Sequence, residues 1–299
     1  MLLIYDNIIS MDTLVTFVIF VIVLFLYTHL TAQFKKSEDM EIFEMDYTTH
    51  QQLDDVCELR QPVLFELRTK YPELFERIEL PDDAIVNIKD KADFETGDLI
   101  VLPYSNAETL AKTDPKSKFY SENNADVPSD KTADELLKPT FSVYSRPDVL
   151  FGSKGARTAM KFHTNSRKFI CVKSGKIQIK MTPWRSRKYL HHTYDYANYE
   201  FRSPIDVWDP QPKYLTDHEK IKFLEFDVDN GYILYIPPYW FYSIKYFDEY
   251  TQLGEYNYNT IINCVANTPN YCMYYLQQNN LHKKVLQTVV SGPENNTAL

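Results

Sequence analysis

"YILYIPPYWFYSIKY", residues 232–246, is the stretch on which the fold turns. It runs apolar and β-rich into Pro237 and Pro238, passes through Tyr239, Trp240, Phe241 and Tyr242, and continues as a second β-rich run. Proline ends a strand by removing a ladder donor, so the pair marks a tight corner between two strands. The corner sets a side chain, Tyr242, at the mouth of whatever the strands enclose.

Working outward, the chain from residue 140 reads as β. "FSVYS", "DVLFG", "RTAMKF", "KFICVKSGKIQIKM", "IKFLEFDVDNGYILYI", "WFYSIKYF" and "TIINCV" are short runs bounded by Gly, Asn, Asp or Pro. Regular short strands with turn signals between them predict a sandwich or barrel over 140–268. "VKSGKI" and "VDNGYI" place glycine at tight turns. Between them, 185–220 is long, aromatic and irregular, a segment that is either functional or packed over the barrel.

The half before the barrel, 47–139, mixes helix and strand. "TTHQQLDDVCELRQP" predicts a helix with Thr48 and Gln51 in capping-box spacing, ended by Pro62. "AIVNI" and "DLIVLPY" predict strands, and "SNAETLAK" a short helix with Ser105 and Glu108 in the same box spacing. Residues 114–134 are polar and turn-rich, a surface excursion. "PNYCMYYLQQNNLHKKVLQTVV" (269–290) predicts a C-terminal helix, and 291–299 a disordered tail.

The amino-terminal end is read as a short tail (1–12), an apolar span and an acidic linker (35–46). "TLVTFVIFVIVLFLYTHLTAQF" (13–34) carries no acidic or basic residue. At helical rise its length is roughly 33 Å, enough to cross a bilayer core. Asp6 and Asp12 precede it and no Lys or Arg does, which predicts an uncleaved single-pass anchor rather than a signal peptide. Lys35 and Lys36 follow it, which places the domain on the cytosolic side of the membrane.

Composition bounds the partners. The 299 residues are 44% hydrophobic and 24% charged, with a net charge of −9, which excludes a phosphate-backbone reader. No nucleic acid is expected as a partner; the membrane through 13–34 and another protein are. "WRSRKYLHH" (184–192) is the local basic exception, read as a solvated loop or an anion-contacting patch. Only 7 glycines stand beside 23 tyrosines and 18 phenylalanines, which predicts an aromatic-rich core. Cys57, Cys171, Cys264 and Cys272 show no CxxC spacing, so no zinc or disulfide framework is expected, and Cys171 and Cys264 read as buried small hydrophobes.

Taken in order, "LRQPVLFE", "VLFGSKGARTAMKFHTN", "KFICVKSGKIQIKMTP", "FDVDNGYILYIPPYWFYSI" and "NTIINCV" resemble the JmjC-like branch of the cupin superfamily over residues 42–268. The resemblance implies a mainly β, α+β domain: a double-stranded β-helix, or jelly roll, with flanking helices. Members of this kind, some of them membrane-anchored, also occur in large DNA viruses. Active members hold Fe(II) with a His-x-Asp/Glu pair and a distant His, and use 2-oxoglutarate. The motif maps the first pair to His163 and Asn165, the distal ligand to Tyr242, and the 2-oxoglutarate-gripping position to Ile177. A neutral amide and a phenol with a pKa near 10 are poor Fe(II) ligands. The expectation is therefore a catalytically degenerate site with no metal or cofactor. His163 is the one candidate ligand, and Pro237, Pro238, Tyr239 and Trp240 pack the barrel mouth. A competing expectation is an Fe(II)/2-oxoglutarate hydroxylase rebuilt from His163 and loop groups among His191, His192, Asp206, Asp209 and Asp217.

Overall fold

The computed structural model describes residues 2–47, 49–90, 99–124 and 127–290. One long helix, α1 (Leu2–Gln33), comes first. Within it, Asp12–Gln33 is long and apolar enough to cross a membrane, and none of that window is buried against protein. The helix takes in most of the stretch read as a tail, because nothing in 2–12 breaks it.

The acidic stretch 35–46 is not all linker. Its end forms β1 (Phe43–Asp46), parallel to β2 (Val63–Glu66), with Phe43 opposite Val63. Between them runs α2 (His50–Glu58), where the side chain of Thr49 accepts from Gln52 N at 3.2 Å. The cap thus falls on Thr49; the expected Thr48 lies outside the described residues. The predicted strands follow as β3 (Ile85–Asp90) and β4 (Ile100–Pro103), then α3 (Tyr104–Thr113). No side chain caps α3, so the Ser105 box does not form; Glu108 instead pairs with Arg77 and Lys112.

Residues 114–134 are not all surface excursion. They carry β5 (Phe119–Ser121), inserted between β3 and the following strand, and lead into α4 (Lys131–Leu137). Ser121, Glu122 and Asn124 are fully buried there. Polar residues hid this strand from an apolar pattern.

"FSVYS" and "DVLFG" are one long strand, β6 (Ser142–Ser153), and "RTAMKF" contributes only β7 (Lys161–Phe162). Next come β8 (Arg167–Ser174) and β9 (Lys176–Thr182), joined at Gly175. The long segment supplies β10 (Thr193–Asp195), β11 (Glu200–Arg202) and the turn α5 (Leu215–His218). The last strands are β12 (Leu224–Asp229), β13 (Tyr232–Ile236), β14 (Phe241–Tyr246) and β15 (Tyr250–Thr260). "TIINCV" is not a strand but α6 (Ile261–Ala266), started by the Thr260 side chain, which accepts from Asn263 N at 3.3 Å. Helix α7 (Thr268–Val290) closes the described chain, and Cys264 is half-buried on α6 rather than buried in a strand. The tail 291–299 lies outside the described residues.

The result is a mixed α+β fold with two sheets. The larger has the order β1-β2-β13-β8-β15-β6-β5-β3-β4, the smaller β10-β11-β7-β14-β9-β12. From β8 onward the chain swaps sheets repeatedly: β8, β13 and β15 lie in the larger, β9, β12 and β14 in the smaller. Gly175 and Gly231, at φ +76° and +115°, make the crossing turns after β8 and β12, a backbone region other residues enter at a cost.

Period-2 alternation builds the core between the sheets. Ile177, Ile179 and Met181 on β9 lie opposite Tyr246, Ile244 and Tyr242 on β14, all pointing inward. Facing them are Ile170, Val172, Leu234, Ile236 and Leu253 of the larger sheet. Each such buried side chain contributes about 1.5–3 kcal/mol. Gly152 on β6 abuts the Tyr246 ring so closely that a Cβ has no room. Gly152→Ala should therefore cost about 1–3 kcal/mol, read as a lower midpoint in thermal unfolding; an unchanged midpoint contradicts the packing.

Candidate functional site

A cavity of about 640 Å³ opens beside the corner, and its walls include Lys161, His163, Asn165, Lys168, Tyr242 and Glu255. The corner itself is a turn: Trp240 N–H donates to Pro237 O at 3.3 Å, and Tyr239 sits at φ +66°. That is the arrangement of a type II turn with Pro at its second position, whose third position favours glycine. A tyrosine is held there by its surroundings. Its N–H donates to His163 O at 3.0 Å, and its ring packs edge-on against Trp184 at 5.4 Å.

His163 returns the grip. Ile236 O can only accept, so His163 Nε2 carries the proton and donates to it at 3.0 Å. That fixes the tautomer and leaves Nδ1 as a lone pair, buried and without a partner, in a side chain that lines the cavity. Burial, and then the Lys168 ammonium, drive the imidazole pKa well below its ordinary value. At neutral pH His163 is an uncharged hydrogen-bond acceptor and a weak base.

Asn165 is committed elsewhere. It donates to Asn257 Oδ1 at 2.8 Å and accepts from Asn259 Nδ2 at 3.3 Å. Tyr242 does come to His163, with ring centres 6.4 Å apart. The ammoniums of Lys161 and Lys168 lie 5.8 Å and 5.6 Å from the Tyr242 ring centre. Burial raises the Tyr242 phenol pKa despite both lysines, so it stays protonated. Ile177 is fully buried in the inter-sheet core, while Lys176 points outward to Asp227 at 2.9 Å.

Around these groups runs a buried ion network. Lys161 binds Glu122; Lys89 binds Glu122 at 2.8 Å and also Glu200; Lys168 binds Glu255; Arg202 binds Glu200 at 2.9 Å. Burial alone would raise the Glu122 pKa, but Lys161 and Lys89 hold it far below the usual carboxylate range. Asp148 lies directly across the β6–β15 ladder from Glu255. Burial, reinforced by that carboxylate, pushes its pKa up to about 7.

These residues do not fit Fe(II). The position that would need a carboxylate holds an amide already bonded to two others. The distal position holds a phenol, and two ammoniums stand over it. Among the described residues no group of three His, Cys, Asp or Glu could hold a metal ion. The loop groups do not assemble there either. His191 pairs with Asp217 at 2.8 Å, and Asp206 and Asp209 face Arg157 at 3.1 and 3.7 Å. His192 packs on Phe162 and Trp184. Trp240 is buried in the inter-sheet core, and Tyr239 belongs to the aromatic cluster under the long segment.

Glu122, Asp148, Glu255, Asn257 and Asn259 do not stand out in the sequence. For Glu255, Asn257 and Asn259 a signal is legible in "YTQLGEYNYNT" (250–260), where they and Leu253 alternate with Gly254, Tyr256 and Tyr258. That is a period-2 strand with its polar face turned into the protein. The sequence matches no protein-family model and no curated protein.

Proposed function

We propose that this is a membrane-anchored, JmjC-like cupin domain whose metal centre has been replaced by a metal-free cavity, and that it acts as a binding module. α1 is its single-pass anchor, and Lys35 and Lys36 favour the cytosolic side for the domain. The swapping of consecutive strands between two sheets supports the jelly-roll reading. So does the meeting of His163 and Tyr242, the two positions to which the motif assigns metal ligands. The single observation that carries the loss of chemistry is the pair of lysines over Tyr242. Two buried ammoniums beside a committed amide oppose a dication at that point. What the cavity offers instead is hydrogen bonding: the His163 lone pair, the Tyr242 hydroxyl and a wall of asparagines, suited to a polar ligand.

The test is metal loading of the full chain in detergent. Incubation with Fe(II) or Mn(II) and 2-oxoglutarate should leave no stoichiometric metal, no turnover of the cosubstrate and an unshifted unfolding midpoint. Stoichiometric metal that is lost in His163→Ala, together with 2-oxoglutarate turnover, would establish the hydroxylase instead.

A further inference from the structure

The barrel end that carries the Pro-Pro-Tyr corner faces the exit of α1. Gln33 Oε1 accepts from Asn263 Nδ2 at 3.4 Å. Three residues on, the Lys36 ammonium sits between two rings, 4.4 Å from the centre of Trp184 and 4.7 Å from that of Tyr239. The span that α1 provides therefore ends against α6 on one side and the corner on the other.

α6 is built inside out. A helix turns 100° per residue, so Ile261 and Val265 share one side and Asn263 and Asn267 the other. The asparagines are the buried side: both donate to Thr164 O, at 3.1 and 3.2 Å, next to His163. Ile261 and Val265 are 52% and 53% exposed. Ile261 N–H donates to Phe141 O at 3.3 Å, and Phe141 is 78% exposed, with Val143 beside it at 59%. An amide face buried and an Ile–Val–Phe face exposed is the reverse of what water selects. Acyl chains select it.

The other flank of the exit is basic. Arg185, Arg187 and Lys188 are exposed on the short helical turn after Pro183, in a chain whose net charge is −9. Arg185 reaches Glu38 at 3.6 Å, and Arg187 lies close enough to Lys36 to help lower its pKa, after burial. A cation cluster here, on a protein of net negative charge, complements anionic headgroups.

We infer that the domain lies against the bilayer through Phe141, Val143, Ile261 and Val265, with Arg187 and Lys188 on anionic headgroups. The occupant of this apolar face is lipid, and the inference rests on the reading of α1 as an anchor. The cavity shares the rim. Tyr144 and Tyr275, both exposed, line it, so the docked domain presents its opening at headgroup level.

The test uses the full chain in phosphatidylcholine–phosphatidylserine vesicles containing acyl-brominated lipid, with native tryptophan emission subtracted. Phe20→Trp reports the anchor, Phe141→Trp and Val265→Trp the face. Phe247→Trp is the control, since Phe247 is exposed just past the far end of β14 from the corner. Emission at 141 and 265 should fall about twofold more than at 247, and Arg187→Glu with Lys188→Glu should reduce that excess. A chain that floats with the vesicles and is quenched at 20, but at 141 and 265 only as much as at 247, overturns the docked face and leaves the anchor standing. Disulfide cross-linking between copies of a Phe141→Cys variant, in place of quenching, overturns it in favour of self-association. A chain that neither floats nor is quenched at 20 removes the anchor, and the docked face with it.

Discussion

Glu122→Ala is expected to destabilise the domain by about 3–5 kcal/mol, the cost of leaving a buried charge without its partner. Glu122 is nearly inaccessible and serves two ammoniums, Lys89 at 2.8 Å and Lys161. Lys89 keeps Glu200 when Glu122 is removed. Lys161 keeps no ion pair with a carboxylate among the described residues, and it stands over the Tyr242 ring in the cavity wall. For a domain of this size the loss lowers the unfolding midpoint by roughly 10 °C. A second variant separates orphaned charge from lost packing. Glu122→Leu combined with Lys161→Met removes both charges and should recover most of the stability. A single-variant loss below about 1 kcal/mol, or a double variant no better than the single, would show that the network does not carry this energy.

Why that network was invisible in the sequence follows from what makes a pattern legible. Apolar alternation exposed β8, β9, β13 and β14, because their burial is hydrophobic on the inward face and each one-residue slip would turn that face outward. The Pro-Pro corner was legible because proline constrains its own backbone and that of the residue before it. The left-handed Tyr239 was not: nothing local makes a tyrosine take φ +66°, and the contacts that hold it come from His163 and Trp184. β5 is only three residues long and is followed by buried polar residues, while β15 turns a polar face inward. Glu122, Glu255, Asn257 and Asn259 are tolerated inside only because partners from distant strands satisfy them. Such partners are tertiary facts. The same holds for α6, where "TIINCV" has the β-branched composition of a strand. It folds as a helix because Thr260 caps it and two asparagines bind Thr164 O. His163, Asn165 and Tyr242 are the positions that the resemblance singles out. What they do was set by neighbours the motif does not include, above all Lys161 and Lys168.

The contribution of Asp148 to stability is expected to fall as pH rises from about 4 to about 7. Its carboxylate accepts from Asn123 N at 2.6 Å, Asn124 N at 3.1 Å and Asn124 Nδ2 at 3.0 Å, and these bonds favour ionisation. Burial and the facing Glu255 outweigh them and push the pKa up to about 7. Glu255 does not share this rise: burial would lift it, but Lys168 and Lys161 hold it down, so the proton of the pair resides on Asp148. An acid whose folded pKa exceeds its unfolded value binds its proton more tightly when folded. The favourable contribution is complete below the unfolded pKa near 4 and is lost as pH climbs through the folded value, on the order of 2–4 kcal/mol in all. Glu122 and Glu255 act with the opposite sign, contributing above the ordinary carboxylate range and losing that contribution in acid. His163, whose pKa burial holds well below the ordinary imidazole value, also opposes Asp148 below about pH 6.5, so only comparison with a variant isolates the Asp148 contribution. Asp148→Asn fixes the site in a neutral form. Its amide opposes the Asn123 N–H donor at every pH, so the informative quantity is the shape of the curve rather than its height. Unfolding midpoints measured from pH 4 to 8.5 should converge or cross as pH rises, with wild type losing ground to the variant between about 5 and 7. Parallel curves over that interval would mean that Asp148 is ionised throughout and that Lys161 and Lys168 neutralise both carboxylates of the pair.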